Sequence, residues 1–90
     1  MAKIIIPSPL RKFTDNLSIV DTSAIDIQGA IKELTEKHRE LKKHILDNNG
    51  NIRSFIRIYV GEDDIQTLNQ ENTSVQSDSI ISIVPAIAGG

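Results

Sequence analysis

Only one stretch of this chain carries the periodicity of an α-helix, and β-branched residues dominate what surrounds it. Ile27, Ala30, Ile31, Leu34, His38, Leu41 and Ile45 recur at three- and four-residue steps, while Lys32, Glu33, Glu36, Lys37, Arg39, Glu40 and Lys43 fill the other side. Asp26 is placed to cap the start, its carboxylate accepting from the exposed amides of the first turn. Glu33 precedes Lys37 by four residues, a modest helix support. A break near His38, with a separate short turn over Leu41 to Leu46, is expected before Asp47-Asn48-Asn49-Gly50-Asn51 ends the segment. Sixteen Ile stand against six Leu and four Val. That bias favours strands over a pure helix bundle. Aromatic residues are only 3% of the chain, so the core must be aliphatic.

The strands are short. Lys3 to Pro7 is β-branched and closed by Pro7 and Pro9, which remove backbone donors. Leu17 to Asp21 follows across the polar Thr14-Asp15-Asn16, and the two make a hairpin. Ile52 to Val60 is the clearest strand: Ile56, Ile58 and Val60 point one way, Phe55, Arg57 and Tyr59 the other. Gly61-Glu62-Asp63-Asp64 makes a turn, with a short apolar touch at Ile65 and Leu68, and residues 69–79 read as irregular. Ile80 to Val84 is the last strand, stopped by Pro85. Ninety residues allow one domain. The order predicts an α+β fold, a mixed sheet of four to five strands with one main helix on one face. The helix serves as the crossover that lets the first and last strands lie parallel. Residues 1–84 form the domain and 85–90 a flexible tail.

Several chemistries lack their residues. With no cysteine, disulfides and thiolate chemistry are excluded. The longest apolar runs are three residues, too short to cross a membrane, and the N-terminus lacks the apolar core of a signal peptide, so the expected location is cytoplasmic. The net charge of −2 is uneven: all ten Lys and Arg fall within residues 1–60, and five of the twelve acids lie beyond. Arg11-Lys12 and Lys42-Lys43 are isolated pairs rather than a basic stripe, so no nucleic-acid partner is expected. His38 and His44 are six residues apart, the wrong step for two ligands on one helical face. Glu62-Asp63-Asp64 reads as a solvated turn, and Asp47-Asn48-Asn49-Gly50 lacks the spacing of a calcium loop. No metal site is expected. Ser74, Ser77 and Ser79 have no neighbouring base or elbow motif, which leaves hydrolase chemistry unsupported. Gly29 inside the helix is read as permitting close approach to the sheet, at about 1 kcal/mol relative to Ala.

The ending carries the most information. Ile83-Val84-Pro85-Ala86-Ile87-Ala88-Gly89-Gly90 takes the last strand straight into small residues with no capping element. Together with Ile6-Pro7, Leu10-Arg11, Gly29-Ala30-Ile31 and Phe55-Ile56-Arg57-Ile58-Tyr59-Val60, this ending resembles the MoaD/ThiS group of ubiquitin-like sulfur carriers over essentially the whole chain, and most of all its CysO-like branch. The turn Gln76-Ser77-Asp78-Ser79 departs from the glycine-containing acidic turn usual there. The resemblance implies a β-grasp fold and a protein cosubstrate rather than an enzyme, with no cofactor of its own. An E1-like enzyme using ATP would adenylate the Gly90 carboxylate, and sulfur transfer would leave a thiocarboxylate. The acceptor would be a pyridoxal-phosphate-dependent cysteine synthase, with a metalloprotease releasing the cysteine adduct. In the MoaD alternative it would be the large subunit of molybdopterin synthase, and a ubiquitin-like modifier would join the same carboxyl to lysines. Gly89 and Gly90 suit a tail that enters a buried partner site, since glycine adopts any φ and has no Cβ. Six residues from Pro85 reach at most about 20 Å.

Alternation predicts where the partner docks. If Ile81 and Ile83 face the helix, Ile80, Ser82 and Val84 face outward beside Phe55, Arg57 and Tyr59, with Ile5 joining from the first strand. An apolar patch on the open face of a sheet marks a partner site. Phe55 and Tyr59 are its expected anchors and Arg57 its charged contact, with Ala86, Ile87 and Ala88 continuing the contact along the tail.

Overall fold

Strands β1 (Ala2–Ile5), β2 (Ile19–Thr22), β3 (Ile56–Val60), β4 (Asp63–Asp64) and β5 (Ile80–Pro85) make one mixed sheet in the order β2-β1-β5-β3-β4. The structure is a computed structural model that describes residues 1–85. The expected roles of Ala86, Ile87, Ala88, Gly89 and Gly90 therefore fall outside the described residues. Strand β1 pairs antiparallel with β2 and parallel with β5, Ile4 lying opposite both Val20 and Ile81. Strand β5 is antiparallel to β3, with Ile58 opposite Ile83. The chain's last described strand is thus the middle of the sheet, and Pro85 is its final residue, opposite Ile56.

Helix α1 (Ile27–Lys37) crosses from β2 toward the far side of the sheet, as the periodicity predicts. Asp26 caps it, accepting a 2.8 Å hydrogen bond from the Gly29 amide. The break at His38 is observed: α2 (Arg39–Ile45) starts at the next residue. Ile27, Ala30, Ile31 and Leu34 of α1 and Leu41 and Ile45 of α2 are buried against Ile4, Ile6, Ile58, Ile81 and Ile83 of the sheet. Full burial of a side chain of this size is worth about 1.5–3 kcal/mol, so this aliphatic layer is what holds the sheet and helices together. Glu33 adds a polar latch, its carboxylate accepting from the hydroxyls of Thr22 and Ser23 and from the Ser23 amide. These donors favour the charged form and hold the Glu33 carboxyl below its ordinary value, the Thr22 hydroxyl contributing most.

Four local expectations need correcting. Residues Ser8–Phe13 form a 3₁₀ helix between β1 and β2, opened by Pro7 and Pro9, rather than plain hairpin loop. The strand expected from Ile52 starts only at Ile56, because Ile52 pairs back with Leu46 and the Arg53 amide bonds the Ile45 carbonyl at 2.8 Å. Asp63 and Asp64 form the edge strand β4, paired with Val60 and Tyr59. Gly61 supplies the positive φ (62°) that opens the two-residue connection between them. Finally, a Cβ at Gly29 would meet Asp26 Oδ1 at 3.0 Å and Ala24 Cβ at 3.2 Å, so this glycine makes room for the helix's own cap rather than for the sheet.

Residues 65–79 hold short 3₁₀ turns at Ile65–Thr67 and Gln70–Asn72. The segment then docks on the start of α1: the Ile27 amide donates to the Thr73 carbonyl at 3.0 Å and the Val75 amide to Ile25 at 2.8 Å. The turn into β5 is closed at both ends, Ser79 N to Gln76 O at 3.0 Å and Gln76 N to Ser79 Oγ at 2.9 Å. No residue of that turn has a positive φ, so it has no need of the glycine usual at this place.

Candidate functional site

Alternation along β5 sorts its side chains to the two faces. Ile81 and Ile83 are 0% and 3% exposed beneath the helices, whereas Ile80 and Val84 are 40% and 41% exposed on the open face. The register of the neighbouring strands places the other expected docking residues around them. Ser82 lies opposite Ile5 on one side and Tyr59 on the other, and Val84 lies opposite Arg57. Phe55, just before β3, is exposed, while Ile5 and Tyr59 are half-buried. The structure therefore brings Ile5, Arg57, Tyr59, Ile80 and Val84 together on one face, as the alternation predicts, whereas Phe55 stands in the turn ahead of β3 and walls a recess with Leu10, His44, Ile56 and Pro85.

Ile19 belongs to the same surface. It pairs with Ile5 from β2 and is 49% exposed, with Leu17 exposed just ahead of it. The period that points Val20 inward also points Ile19 outward, so the signal was in the sequence, and only the continuity of the two strands' open faces had to be supplied. Two ion pairs edge the patch. Lys3 Nζ meets Asp21 Oδ1 at 2.9 Å, and its hydrogen bond holds the Asp21 carboxyl below the ordinary range. Arg57 Nη1 lies 3.8 Å from Asp64 Oδ2. At that length a pair with its Arg side half exposed contributes little to stability.

Other polar groups serve the scaffold. Asp47 Oδ1 accepts from the amides of Asn49 and Asn51, ordering the turn that ends α2. Asp64 caps the following 3₁₀ turn through the Gln66 amide. His38 sits between the two helices, and His44 stacks on Phe13 with ring centroids 4.2 Å apart. Among the described residues, no group of three His, Asp or Glu side chains gathers as a metal site would require. None of the described helices is long and apolar enough to cross a membrane.

The described geometry is thus an open, largely apolar face around the central strand β5. The model of the ThiS family matches residues 4–90. The chain belongs to the ThiS family. With that membership it is a sulfur carrier of the ThiS/MoaD type on a β-grasp, ubiquitin-like scaffold. It is 26% identical over 87 residues to the sulfur carrier protein CysO of Mycobacterium tuberculosis, covering 94% of each chain. Among solved structures, a crystal structure of the Amycolatopsis orientalis BexX/CysO complex contains a chain that superposes with a TM-score of 0.90 over the full length of both, at 23% identity. Small archaeal modifier protein 1 of Methanosarcina acetivorans superposes with a TM-score of 0.85 at 22% identity, covering 99% of this chain and 95% of that one. At these identities the superpositions speak to the fold.

Proposed function

We propose that this ThiS-family protein carries sulfur on the carboxyl of Gly90 for cysteine biosynthesis. An E1-like enzyme transfers AMP from ATP to the carboxylate and releases pyrophosphate. A carboxylate is a poor electrophile, being anionic and resonance-stabilised, and the acyl adenylate supplies the leaving group it lacks. A sulfur donor then displaces AMP and leaves a C-terminal thiocarboxylate, the nucleophile that a pyridoxal-phosphate-dependent cysteine synthase accepts. The carrier acts as cosubstrate and binds no cofactor of its own.

One observation carries this reading: the central strand of the sheet, which ends at Pro85 just ahead of Ala86-Ile87-Ala88-Gly89-Gly90 in the sequence, carries exposed Ile80 and Val84 on its open face with half-buried Ile5 and Tyr59 on the neighbouring strands. Residues 1–85, with Pro85 inside β5 rather than in the tail expected from residue 85, form the docking body, and the residues after the strand enter the partner. The name of the M. tuberculosis relative, a sulfur carrier called CysO, favours the cysteine branch over a molybdopterin synthase subunit. ATP–pyrophosphate exchange by the activating enzyme tests the proposal. Wild-type protein supports exchange; Gly89→Val or Gly90→Ala, with the fold unchanged by circular dichroism, abolishes or cripples it. Equal exchange with these variants removes the diglycine argument. Accumulation of high-mass conjugates in place of the free thiocarboxylate protein assigns the modifier role instead.

A further inference from the structure

A second surface meets the end of β5, and its charge is opposite to that of the chain as a whole. Arg39, Lys42 and Lys43 are exposed on α2, and the Arg53 guanidinium is fixed beside them by a 2.8 Å hydrogen bond from its Nε to the Lys43 carbonyl. None of these four side chains has a carboxylate within ion-pairing distance in the described structure, in a protein of net charge −2. Nearby Asp47 is occupied by backbone amides, and Glu40 is the only acid within α2.

Helix stability does not explain the arrangement. Cations in a last turn complement the helix dipole, which accounts for Lys42 and Lys43. Arg39 is the first residue of α2, where a positive charge is unfavourable, and it stands four residues before Lys43, a like-charge pair that destabilises a helix. Arg53 lies outside the helix altogether. The protein thus holds together four cations, none of them in an ion pair with a carboxylate among the described residues.

Their position gives the purpose. Lys43, His44 and Arg53 rim a recess of about 340 Å³ whose remaining walls are Pro9, Leu10, Phe55, Ile56 and Pro85. Phe55 stands immediately ahead of β3, and Pro85 is the last residue of the central strand β5. We propose that the activating enzyme sets an acidic segment of its own against Arg39, Lys42, Lys43 and Arg53, with an apolar side chain of that segment in the recess under Phe55 and Pro85. This rests on the carrier reading above and names the chemistry of the partner. Charges at the edge of an interface act mainly on the association rate, through a field that salt screens. The basic edge therefore steers the base of the tail toward its entrance.

The test compares wild type with Arg39→Gln/Lys42→Gln/Lys43→Gln and Arg39→Glu/Lys42→Glu/Lys43→Glu, leaving Arg53 and its structural hydrogen bond intact. Thermal midpoints confirm that all three are folded. Association with the activating enzyme from the same genome is followed by stopped flow across salt concentration. At low salt the rate falls in the order wild type, neutral, reversed, by about tenfold or more for the reversed variant, and the curves converge at high salt. Equal low-salt rates overturn the inference, as does a deficit undiminished at about 1 M salt. So does a reversed variant that loses binding to single-stranded RNA while associating with the enzyme normally. A wild-type protein that binds the enzyme with the expected salt dependence yet is never adenylated sinks the carrier reading and leaves the acidic docking contact standing.

Discussion

Glu33 does more for this fold than its place on the polar side of a helix suggests. Its carboxylate joins α1 to the end of β2 through Thr22 and Ser23. Because the folded-state pKa is depressed, the stabilisation is fully present above the unfolded value of about 4.3 and is lost as pH falls through the lower folded value. Urea midpoints measured from pH 7 down to strongly acid solution are expected to show this loss in wild type and a shallower one in Glu33→Gln, whose amide still accepts a hydrogen bond but does not titrate. Parallel curves for the two proteins contradict the latch. Phe55→Ala is the contrasting single-residue case. The side chain is 38% exposed and walls the recess beside Pro85, so on the proposed docking its loss is expected to weaken binding to the activating enzyme by about 1–2 kcal/mol, the scale of an interface anchor, with a smaller fall in the thermal midpoint than a core truncation causes.

Helix α1 and strand β5 were readable because each obeys one period without interruption and buries one face. The 3₁₀ helix at Ser8–Phe13 and the strand Asp63–Asp64 were not. The first buries only Leu10, and the second is two acidic residues whose pairing is dictated by Gly61 and by the open edge of β3. Ile52 failed as a strand residue for a related reason: its apolar pattern was right, but Leu46 captured its backbone first. The outward set on β3 and β5 followed directly from alternation, while the basic edge did not. Arg39, Lys42, Lys43 and Arg53 are separated by fourteen positions in the chain and gather only when the turn after α2 folds back. At this scale Asp26→Ala removes the cap of α1 and is expected to cost about 1 kcal/mol in equilibrium urea unfolding. Gly29→Ala tests the same junction. Its gain in helix propensity, also about 1 kcal/mol, is opposed by crowding against Asp26 and Ala24, so no net stabilisation is expected.

Over the whole molecule, the two faces of one strand differ in what they bury. Ile81 and Ile83 tie β5 into the aliphatic layer, whereas Ile80 and Val84 are exposed on its other side, the face proposed to meet a partner. Truncating the inward set, as in Ile81→Ala, is expected to destabilise by about 2–5 kcal/mol, read as a fall in urea midpoint, whereas Ile80→Ala moves stability little. The body needs no reactive side chain, because the chemistry is assigned to the carboxyl of Gly90. The mass of the C-terminal peptide, taken from protein isolated from its own host under sulfur-replete growth, tests that assignment most directly. A fraction heavier by the difference between sulfur and oxygen is expected, located on Gly90 and absent from Gly89→Val. A peptide carrying only an ordinary carboxylate under every condition in which the activating enzyme and sulfur donor are present would contradict it.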